Sequence, residues 1–319
     1  MWSGSQSKLT TMSDASQPRF PIYIPSKSRA QYGHTMKVLM RTGTPFRIVV
    51  EHHQVKDYAD QFGAQRILVL DPQYIRDYDT CIPGFDETKS KGSGPARNFI
   101  WDHAISEGHS HHWIIDDNIR GFFRLHENQR ILMGDGSNFY LMEDFALRYR
   151  NLAMCGPHYL MFVPPRPKTQ ALLTNHRVFS CNLIRNDIPF RWRARYNEDV
   201  DLSLRILKAG WCTVLFKVFL ADKLTTQTLP GGNTEAFYAE EGTKAKSELI
   251  VRLHPDCVKL TERYGRPHHT ITTGKFKQRL VPRDGAQVPA APAVQFKMRR
   301  IEGRPPPRSP GHMDISHLG

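Results

Sequence analysis

Short apolar runs alternate along the chain with stretches in which apolar residues recur every three or four positions. The runs predict buried strands, and the recurring spacing predicts helices. Strands are predicted at residues 20–25, 46–50, 66–70, 113–115, 159–163 and 178–184. Helices are predicted at residues 35–40, 55–62, 96–107, 139–154 and 197–210. Because strand and helix alternate, we predict an α/β fold with a Rossmann-like, mostly parallel central sheet and helices on both faces.

One apolar run ends abruptly in acids. Trp113-Ile114-Ile115 can be buried in a sheet, and Asp116, Asp117 and Asn118 follow directly. Acids at the carboxyl end of a strand lie where α/β sheets bind ligands, and carboxylates with phosphate oxygens suit Mg²⁺ or Mn²⁺. The alternative is an acidic turn that caps the next segment. Three histidines precede the strand, and we expect them at the surface of the opposite sheet edge: His109, His111 and His112.

A second acidic group begins the predicted helix 197–210. Asn197 suits the N-cap, and Gly210 suits the position after the helix. Glu198, Asp199 and Asp201 then share the first turn, where the helix dipole favours ionised carboxylates. Such a carboxylate could act as a general base, or the acids could simply cap the helix. The functional prediction requires the two acidic groups to converge at one rim of the fold.

The helix before the acidic strand has clear end signals. Pro95 suits its first position, and Gly108 its end. Arg97 and Asn98 lie in its first turn, where a guanidinium and free backbone donors can meet a phosphate. The alternative is that Arg97 pairs with Asp116 or its neighbour Asp117.

Composition limits the function classes. With 319 residues and 39% hydrophobic content, the chain can bury a substantial core. No apolar run approaches the roughly 18 residues that cross a bilayer, and residues 1–17 lack a secretion signal, so no membrane partner and a cytoplasmic location are expected. Five unpaired, widely spaced cysteines suggest neither disulfides nor a zinc knuckle. We predict a disordered segment at 1–17, one catalytic domain at 18–274, and a basic, Pro-rich flexible tail at 275–319.

The net charge of +13 indicates a polyanionic partner, although a basic protein can also carry such charge only for solubility. The segment Arg191, Trp192, Arg193, Arg195 is the strongest nucleic-acid signal, because arginines can bind phosphates and an aromatic ring can stack on bases. Alternatively, these arginines pair with the acids of the following helix.

Several short motifs, in order and spacing, resemble the GT-A glycosyltransferases and more closely the phage TET-associated glycosyltransferases. These motifs are Pro25-Ser26-Lys27-Ser28-Arg29, Val49-Val50-Glu51, Ala96-Arg97-Asn98, Ile115-Asp116-Asp117-Asn118, Asn197-Glu198-Asp199 and Gly231-Gly232-Asn233. The resemblance implies a GT-A fold that transfers a sugar from a UDP-sugar to 5-hydroxymethylcytosine in DNA. It also implies a TET-like dioxygenase that makes this base, and the cytoplasm of a phage-infected host as the location.

The resemblance further implies roles for single residues. The first strand end at Pro25, with Ser26, Arg29 and Glu51, would surround the uridine. Arg97 and Asn98 would contact the nucleotide or the sugar, with Asp116 beside them. Asp116, Asp117 and Asn118 would occupy the D-x-D metal motif, in which Asn118 replaces the usual last Asp. Two further features would complete the site. One is a metal ligand near the end of the domain sequence, His268 or His269, and the other is a mobile loop at Gly232 and Asn233.

The predicted chemistry combines a divalent cation, which stabilises the diphosphate leaving group, with Asp199 as the general base. Glu198 and Asp201 are the alternative bases, and inversion is expected because no second nucleophile is evident. The donor, UDP-glucose or UDP-N-acetylglucosamine, stays open. Two rival functions also stay open, namely the same fold acting on a glycan, protein or small molecule, and a non-catalytic nucleic-acid-binding module.

Overall fold

The computed structural model describes residues 14–126, 129–164, 170–224, 244–263 and 265–288. Within these ranges the strands are β1 Ile22–Pro25, β2 Arg47–Val50, β3 Ile67–Val69, β4 His111–Ile115, β5 Ile119–His126, β6 Gln129–Leu132, β7 Leu152–Tyr159, β8 Leu172–Thr174, β9 Cys181–Arg185, β10 Cys212–Lys223, β11 Val258–Arg263 and β12 Arg266–Ile271. The helices are α1 His34–Arg41, α2 Val55–Phe62, α3 Pro72–Asp77, α4 Gly94–Ser106, α5 Ser137–Leu147, α6 Glu198–Lys208 and α7 Lys244–Leu253.

One large sheet carries the fold, in the order β3-β2-β1-β4-β9-β7-β10-β5-β6, with β8 also paired to β10. Strands β3, β2, β1 and β4 are parallel to one another, and β7 is parallel to β10. Strand β9 runs antiparallel between β4 and β7, and β5, β6 and β8 are also antiparallel to their neighbours. The carboxyl ends of β1, β2, β4, β7 and β10 therefore share one edge, where β9 begins. The predicted α/β fold is confirmed.

Helices cover both faces of the sheet, as β4 illustrates. Trp113 and Ile115 face a core cluster that includes side chains of α1 and α5. Ile114, between them, faces the opposite cluster, which includes side chains of α4 and α6. Because neighbouring residues of a strand point to opposite faces, a strand that is apolar at every position must be covered twice. The predicted helices on both faces are confirmed.

The predicted boundaries between residues 139 and 163 were wrong. Helix α5 ends at Leu147, before the predicted end at residue 154. Strand β7 begins at Leu152 and ends at Tyr159, where a strand had been predicted to start. Short apolar runs fit a buried helix or a buried strand equally well, and the sequence could not separate the two. Gly156 in β7 leaves no room for a side chain, because an added Cβ would lie 2.0 Å from the carbonyl oxygen of Cys181 in β9. The backbones of β7 and β9 therefore approach closely at this position.

The predicted surface position of two histidines was also wrong. His111 and His112 are the first residues of β4, and both are buried between β1 and β9. The His112 ring hydrogen-bonds through Nδ1 to Asn186 at 2.5 Å. Burial lowers the pKa of His111 to about 4 and that of His112 to about 3, so both rings are neutral at pH 7.

A flexible tail was predicted from residue 275, but the first described residues after this position contact the rest of the domain. The Gln278 side chain donates to the carbonyl oxygen of Leu207, and the backbone of Val281 donates to Asn151 at 2.8 Å. These contacts attach the segment to the end of α6 and to the residue before β7. Residues 289–319, like residues 1–13, lie outside the described residues. In the ranges that are described, no helix is both long and apolar enough to span a membrane.

Candidate active site

The acidic turn after β4 is held by the first turn of α1. The backbone of Thr35 donates to the carbonyl oxygen of Asp117 at 3.2 Å, and its hydroxyl donates to that of Asp116 at 2.5 Å. The same hydroxyl accepts from the backbone of Ile119 at 2.9 Å. One threonine therefore fixes the backbone of the whole turn.

The Asp116 carboxylate lies between two cations. Arg97 donates to one oxygen at 2.8 Å, and Lys223, the last residue of β10, donates to the other at 3.0 Å. Burial alone would raise the pKa of Asp116, but the charges of Lys223 and Arg97 lower it to about 2. Lys223 also donates to Ser180 at 2.7 Å and to the hydroxyl of Tyr159 at 3.3 Å. The carboxylate stays ionised within a network drawn from three strand ends.

The Asp117 carboxylate faces a different set of partners. Ser26 donates to one oxygen at 2.7 Å, and Arg29 donates to the other at 3.0 Å. Burial raises the pKa of Asp117, although Arg29 and Ser26 oppose this effect. Asp117 therefore ties the end of β1 to the end of β4. Glu51, at the end of β2, pairs nearby with Lys27 at 2.6 Å.

A divalent cation fits two of the three residues of this motif. The side-chain oxygen of Asn118 is buried and accepts no hydrogen bond within the described residues. The Asp116 carboxylate is 23% exposed, and its oxygens keep lone pairs beyond those used by Arg97 and Lys223. Asp117 is 7% exposed and has both oxygens engaged. Hard cations take oxygen ligands, so Asp116 and Asn118 can serve, whereas the predicted ligand role of Asp117 is not supported.

Helix α4 brings Arg97 to the acidic turn. Gly94 allows the start of α4 to approach Tyr78, because an added Cβ would lie 1.9 Å from its ring. Besides contacting Asp116, the Arg97 guanidinium lies 3.7 Å from Glu198. Burial lowers the pKa of Arg97, but Asp116, Glu198 and Asp199 together raise it above its usual value.

Asn98, predicted to contact the nucleotide or the sugar, has its side chain engaged by the loop at Trp192. Its amide nitrogen donates to the carbonyl oxygen of Trp192 at 2.9 Å, and its amide oxygen accepts from the backbone of the same residue at 2.8 Å. Both ends of the amide are thus used to hold a loop. This geometry does not support the predicted contact of Asn98 with the nucleotide or the sugar.

Helix α6 presents the second acidic group, as predicted, but its acids have different surroundings. Glu198 accepts from Ser93 at 2.8 Å, and burial raises its pKa although Arg97 opposes this. Asp201 is fully buried and binds Arg193, Arg205 and His254, so it cannot serve as an alternative base. Asp199 is partly exposed and makes no ion pair in the described part of the chain.

Asn197 occupies the predicted N-cap position without capping the helix through its side chain. Its backbone is left-handed, with φ 54°, and its amide nitrogen donates to the carbonyl oxygen of Lys246 at 2.8 Å. Ser28 and Ser180, at the ends of β1 and β9, also have positive φ, at 54° and 63°. Such backbone is uncommon outside glycine and concentrates at functional sites.

The late histidines do not act as a pair. His268 and His269 are neighbours in β12 and therefore point to opposite faces of the hairpin, with His268 exposed. Burial lowers the pKa of His269 to about 4, and the charge of Asp199 opposes this, so His269 is the one near the site. Gly232 and Asn233, predicted to form a closing loop, lie outside the described residues.

One other group of metal-ligating side chains lies within the described ranges, formed by His254, Asp256 and Cys257. The His254 ring accepts from Lys208 at 2.9 Å and hydrogen-bonds to Asp201 with its other nitrogen, also at 2.9 Å. Asp256 pairs with Lys208 and with Lys275. Both nitrogens of the His254 ring are engaged, so this ring offers no free ligand atom to a cation.

The predicted DNA-binding segment is mostly structural. Trp192 is 2% exposed, and the Arg97 guanidinium lies 4.7 Å from the centre of its ring, so the predicted stacking on bases is wrong. Arg193 pairs with Asp201 at 3.2 Å, as the alternative of pairing with the following helix required. Arg191 pairs instead with Asp102 of α4, at 3.1 Å. Arg195 is buried and donates to the carbonyl oxygen of Ser90 and to the Tyr196 hydroxyl.

Three site residues were missed in the sequence, namely Lys223, Thr35 and Ser180. Lys223 follows Asp222 at the end of the apolar run of β10, much as Asp116 follows the apolar run of β4, and this signal was available. Thr35 and Ser180 carry no signal of their own, because their contacts join distant segments.

The two acidic groups thus meet at the carboxyl edge of the sheet, linked by Arg97, with cations and a strained backbone around them. This arrangement places a charged site at the strand ends of an α/β sheet, where such sheets bind their ligands. The chain belongs to the family of TET-associated glycosyltransferases, whose family model matches residues 20–232, and it is therefore a glycosyltransferase. No curated protein gives a significant match.

Proposed function

We propose that this protein transfers a sugar from a UDP-sugar to the hydroxyl of 5-hydroxymethylcytosine in DNA, with inversion at the anomeric carbon. The observation that carries the proposal is Asp199, a partly exposed acid without an ion pair in the described residues, whose charge acts on Arg97, the residue that binds Asp116. A transferase needs a base on the acceptor side and positive charge on the leaving-group side. This edge of the sheet offers both.

Donor binding is supported by the residues at the ends of β1, β2 and β4. Ser26 and Arg29 are fixed by Asp117, and Pro25 ends β1 beside β2, whose end leads to Glu51. This corner would receive the uridine. Arg97 and Lys223, with Asp116 between them, supply positive charge for the diphosphate.

A divalent cation, Mg²⁺ or Mn²⁺, bound by Asp116 and Asn118 would neutralise charge on the diphosphate as it leaves. The side chains of Arg97 and Lys223 would also neutralise charge on the diphosphate. Arg97 donates from a buried, pre-ordered position, and Lys223 is held by Ser180 and Tyr159. Groups ordered before the reaction stabilise developing charge without the cost of reorganisation.

On the acceptor side, Asp199 would remove the proton from the hydroxymethyl oxygen as that oxygen attacks the anomeric carbon. Among the acids of α6, it is best suited, because Glu198 accepts from Ser93 and Asp201 binds three cationic or polar partners. A single base on the face opposite the leaving group implies inversion.

DNA as acceptor is supported by the family and by the excess of 44 Lys and Arg over 31 Asp and Glu. The hydroxymethyl base would be made by a TET-like dioxygenase, a functional partner. The test is incubation of the protein with UDP-glucose or UDP-N-acetylglucosamine, Mn²⁺ and duplexes containing cytosine, 5-methylcytosine or 5-hydroxymethylcytosine. Mass spectrometry should find the added mass, of a hexose from UDP-glucose or of an N-acetylhexosamine from UDP-N-acetylglucosamine, only on the last duplex. Transfer to a glycan, protein or small molecule, but to none of these DNAs, would overturn the proposed acceptor.

A further inference from the structure

The two most exposed large apolar side chains in the described ranges are neighbours at the edge of the active site. Met161 is 55% and Phe162 is 60% exposed. Both lie in the short 3-10 helix Leu160–Phe162, which directly follows the carboxyl end of β7. A single exposed apolar residue is ordinary, but two adjacent ones beside a site indicate a contact surface.

Phe162 is held by other rings. Its ring centre lies 5.9 Å from that of Tyr159 and 5.9 Å from that of His158. Tyr159 in turn lies 4.3 Å from Phe179, at the start of β9. We call these four residues, His158, Tyr159, Phe162 and Phe179, the aromatic ledge. Because the neighbouring rings restrict Phe162, it would lose little conformational freedom when a planar group stacks on it.

The aromatic ledge is joined to the active site by hydrogen bonds. The Tyr159 hydroxyl lies 2.6 Å from the hydroxyl of Ser180 and 3.3 Å from Lys223 Nζ. Lys223 is the residue that binds Asp116. A planar group on Phe162 would therefore lie a short distance outside the position where the sugar is transferred.

Positive charge surrounds the aromatic ledge. The Arg177 guanidinium lies 5.7 Å from the centre of the Phe179 ring. Burial lowers the pKa of His158 to about 4, and the charges of Arg177 and Lys217 lower it in the same direction, so both cations are near this ring. Neither Arg177 nor Lys217 forms an ion pair with any described residue. Of the four residues of the aromatic ledge, Phe162 is the exposed one, whereas Phe179 is buried. Cations without an ion pair among the described residues, close to an exposed ring, suit a chain that carries both phosphates and bases.

We propose that Phe162, supported by the other rings of the aromatic ledge, stacks on a nucleobase of the acceptor DNA, next to the base that receives the sugar, while Arg177 and Lys217 contact the phosphates. This inference rests on the proposed function. It replaces the segment 191–195 as the DNA contact, since Trp192 is buried there. Every base has a π-face, so the contact is expected to tolerate any neighbouring base.

The test measures binding of a fluorescently labelled single-stranded oligonucleotide containing one 5-hydroxymethylcytosine, by anisotropy. Phe162→Ala should weaken binding about ten-fold, and Phe162→Trp should keep it within about two-fold of wild type, because stacking depends on the ring. Leu260→Ala, at an apolar position of 50% exposure in the β11–β12 hairpin, is the matched control and should bind like wild type. UDP binding, measured by calorimetry, should be unchanged in all three variants.

Three results would overturn the inference, and they differ in what they say of the proposed function. If Phe162→Ala binds the oligonucleotide like wild type while wild type glycosylates DNA, the aromatic ledge has another use, such as docking a protein, and the function stands. If wild type binds no DNA and modifies none, the function and the inference fail together. A parallel loss of UDP binding in Phe162→Ala would assign the ring to the fold instead of the acceptor.

Discussion

Arg97 donates to Asp116 at 2.8 Å and so joins the start of α4 to the end of β4. The same guanidinium lies 3.7 Å from Glu198, at the start of α6. Two acidic groups about eighty residues apart in sequence are thereby held around one buried cation. Without that cation, their carboxylates would repel each other in a place with little water.

Replacing Arg97 with methionine should therefore damage both the fold and donor binding. Arg97→Met keeps most of the side-chain volume but leaves Glu198 without its nearest cation and Asp116 with Lys223 alone. Removing one partner of a buried ion pair costs about 3 kcal/mol or more. We expect such a loss in the free energy of unfolding, measured by urea denaturation, together with weaker UDP binding in calorimetry.

Arg191→Met is the matched control for this prediction, because Arg191 pairs with Asp102 at a position where both side chains are more than 40% exposed. Exposed pairs contribute under about 1 kcal/mol. Equal stability losses in the two variants would show that the Arg97 contact is not the link described here.

Asp199→Asn should separate catalysis from binding. The amide keeps the shape of the side chain but cannot take a proton, and a general base contributes about 10²- to 10⁴-fold to the rate. We expect kcat to fall by at least about a hundred-fold, while UDP affinity and melting temperature stay near wild type. Single-turnover transfer to hydroxymethylated DNA measures the rate.

Glu198→Gln provides the comparison for Asp199. Glu198 accepts from Ser93 and faces Arg97, so its replacement should lower stability more than the chemical step. If Glu198→Gln abolishes transfer in a folded protein and Asp199→Asn does not, the base is Glu198.

Much of the site could be predicted because local signals were sufficient. An apolar strand that stops at Asp116 must leave that acid at a sheet edge, and α6 runs from Glu198 to Lys208 within the predicted bounds. Both inferences use only the neighbouring residues. The same kind of reasoning gave the correct end of α4 before Gly108, whose φ is 78°.

The parts that were missed or mistaken depend on contacts between distant segments. Lys223 lies 107 residues from Asp116, and no spacing rule links the two. Trp192 alternates with arginines in a pattern that fits an exposed surface, yet the Asn98 amide holds its backbone and buries its ring. Local pattern describes what a side chain prefers, and tertiary packing decides where it goes.

Asn118→Asp should increase the affinity for a divalent cation. The side-chain oxygen of Asn118 is a buried acceptor without a partner among the described residues, and a carboxylate there adds a full negative charge to the ligand set. We expect Mn²⁺ to bind about ten-fold more tightly, measured by electron paramagnetic resonance with UDP present and no acceptor. Asn118→Ala should bind it more weakly than wild type.

Asp256→Asn tests the other possible location of the cation. This residue belongs to the His254, Asp256 and Cys257 group, whose donors already have partners. Mn²⁺ affinity should not change in this variant. Loss of Mn²⁺ binding in Asp256→Asn, with no effect in Asn118→Ala, would move the cation to that group.

The buried histidines of β4 should make the protein sensitive to acid. Burial lowers the pKa of His112 from 6.5 to about 3, so the folded protein keeps this ring neutral while the unfolded chain protonates it below about pH 6.5. The unfolded state then binds more protons, and stability falls as the pH falls through that window. One such group changes the unfolding free energy by about 1.4 kcal/mol per pH unit.

His112→Gln should therefore flatten the pH dependence of the urea midpoint between pH 6 and pH 4 by about one proton, whereas His53→Gln, at an exposed position, should not. Identical slopes in wild type and His112→Gln would mean that the ring is protonated inside the fold.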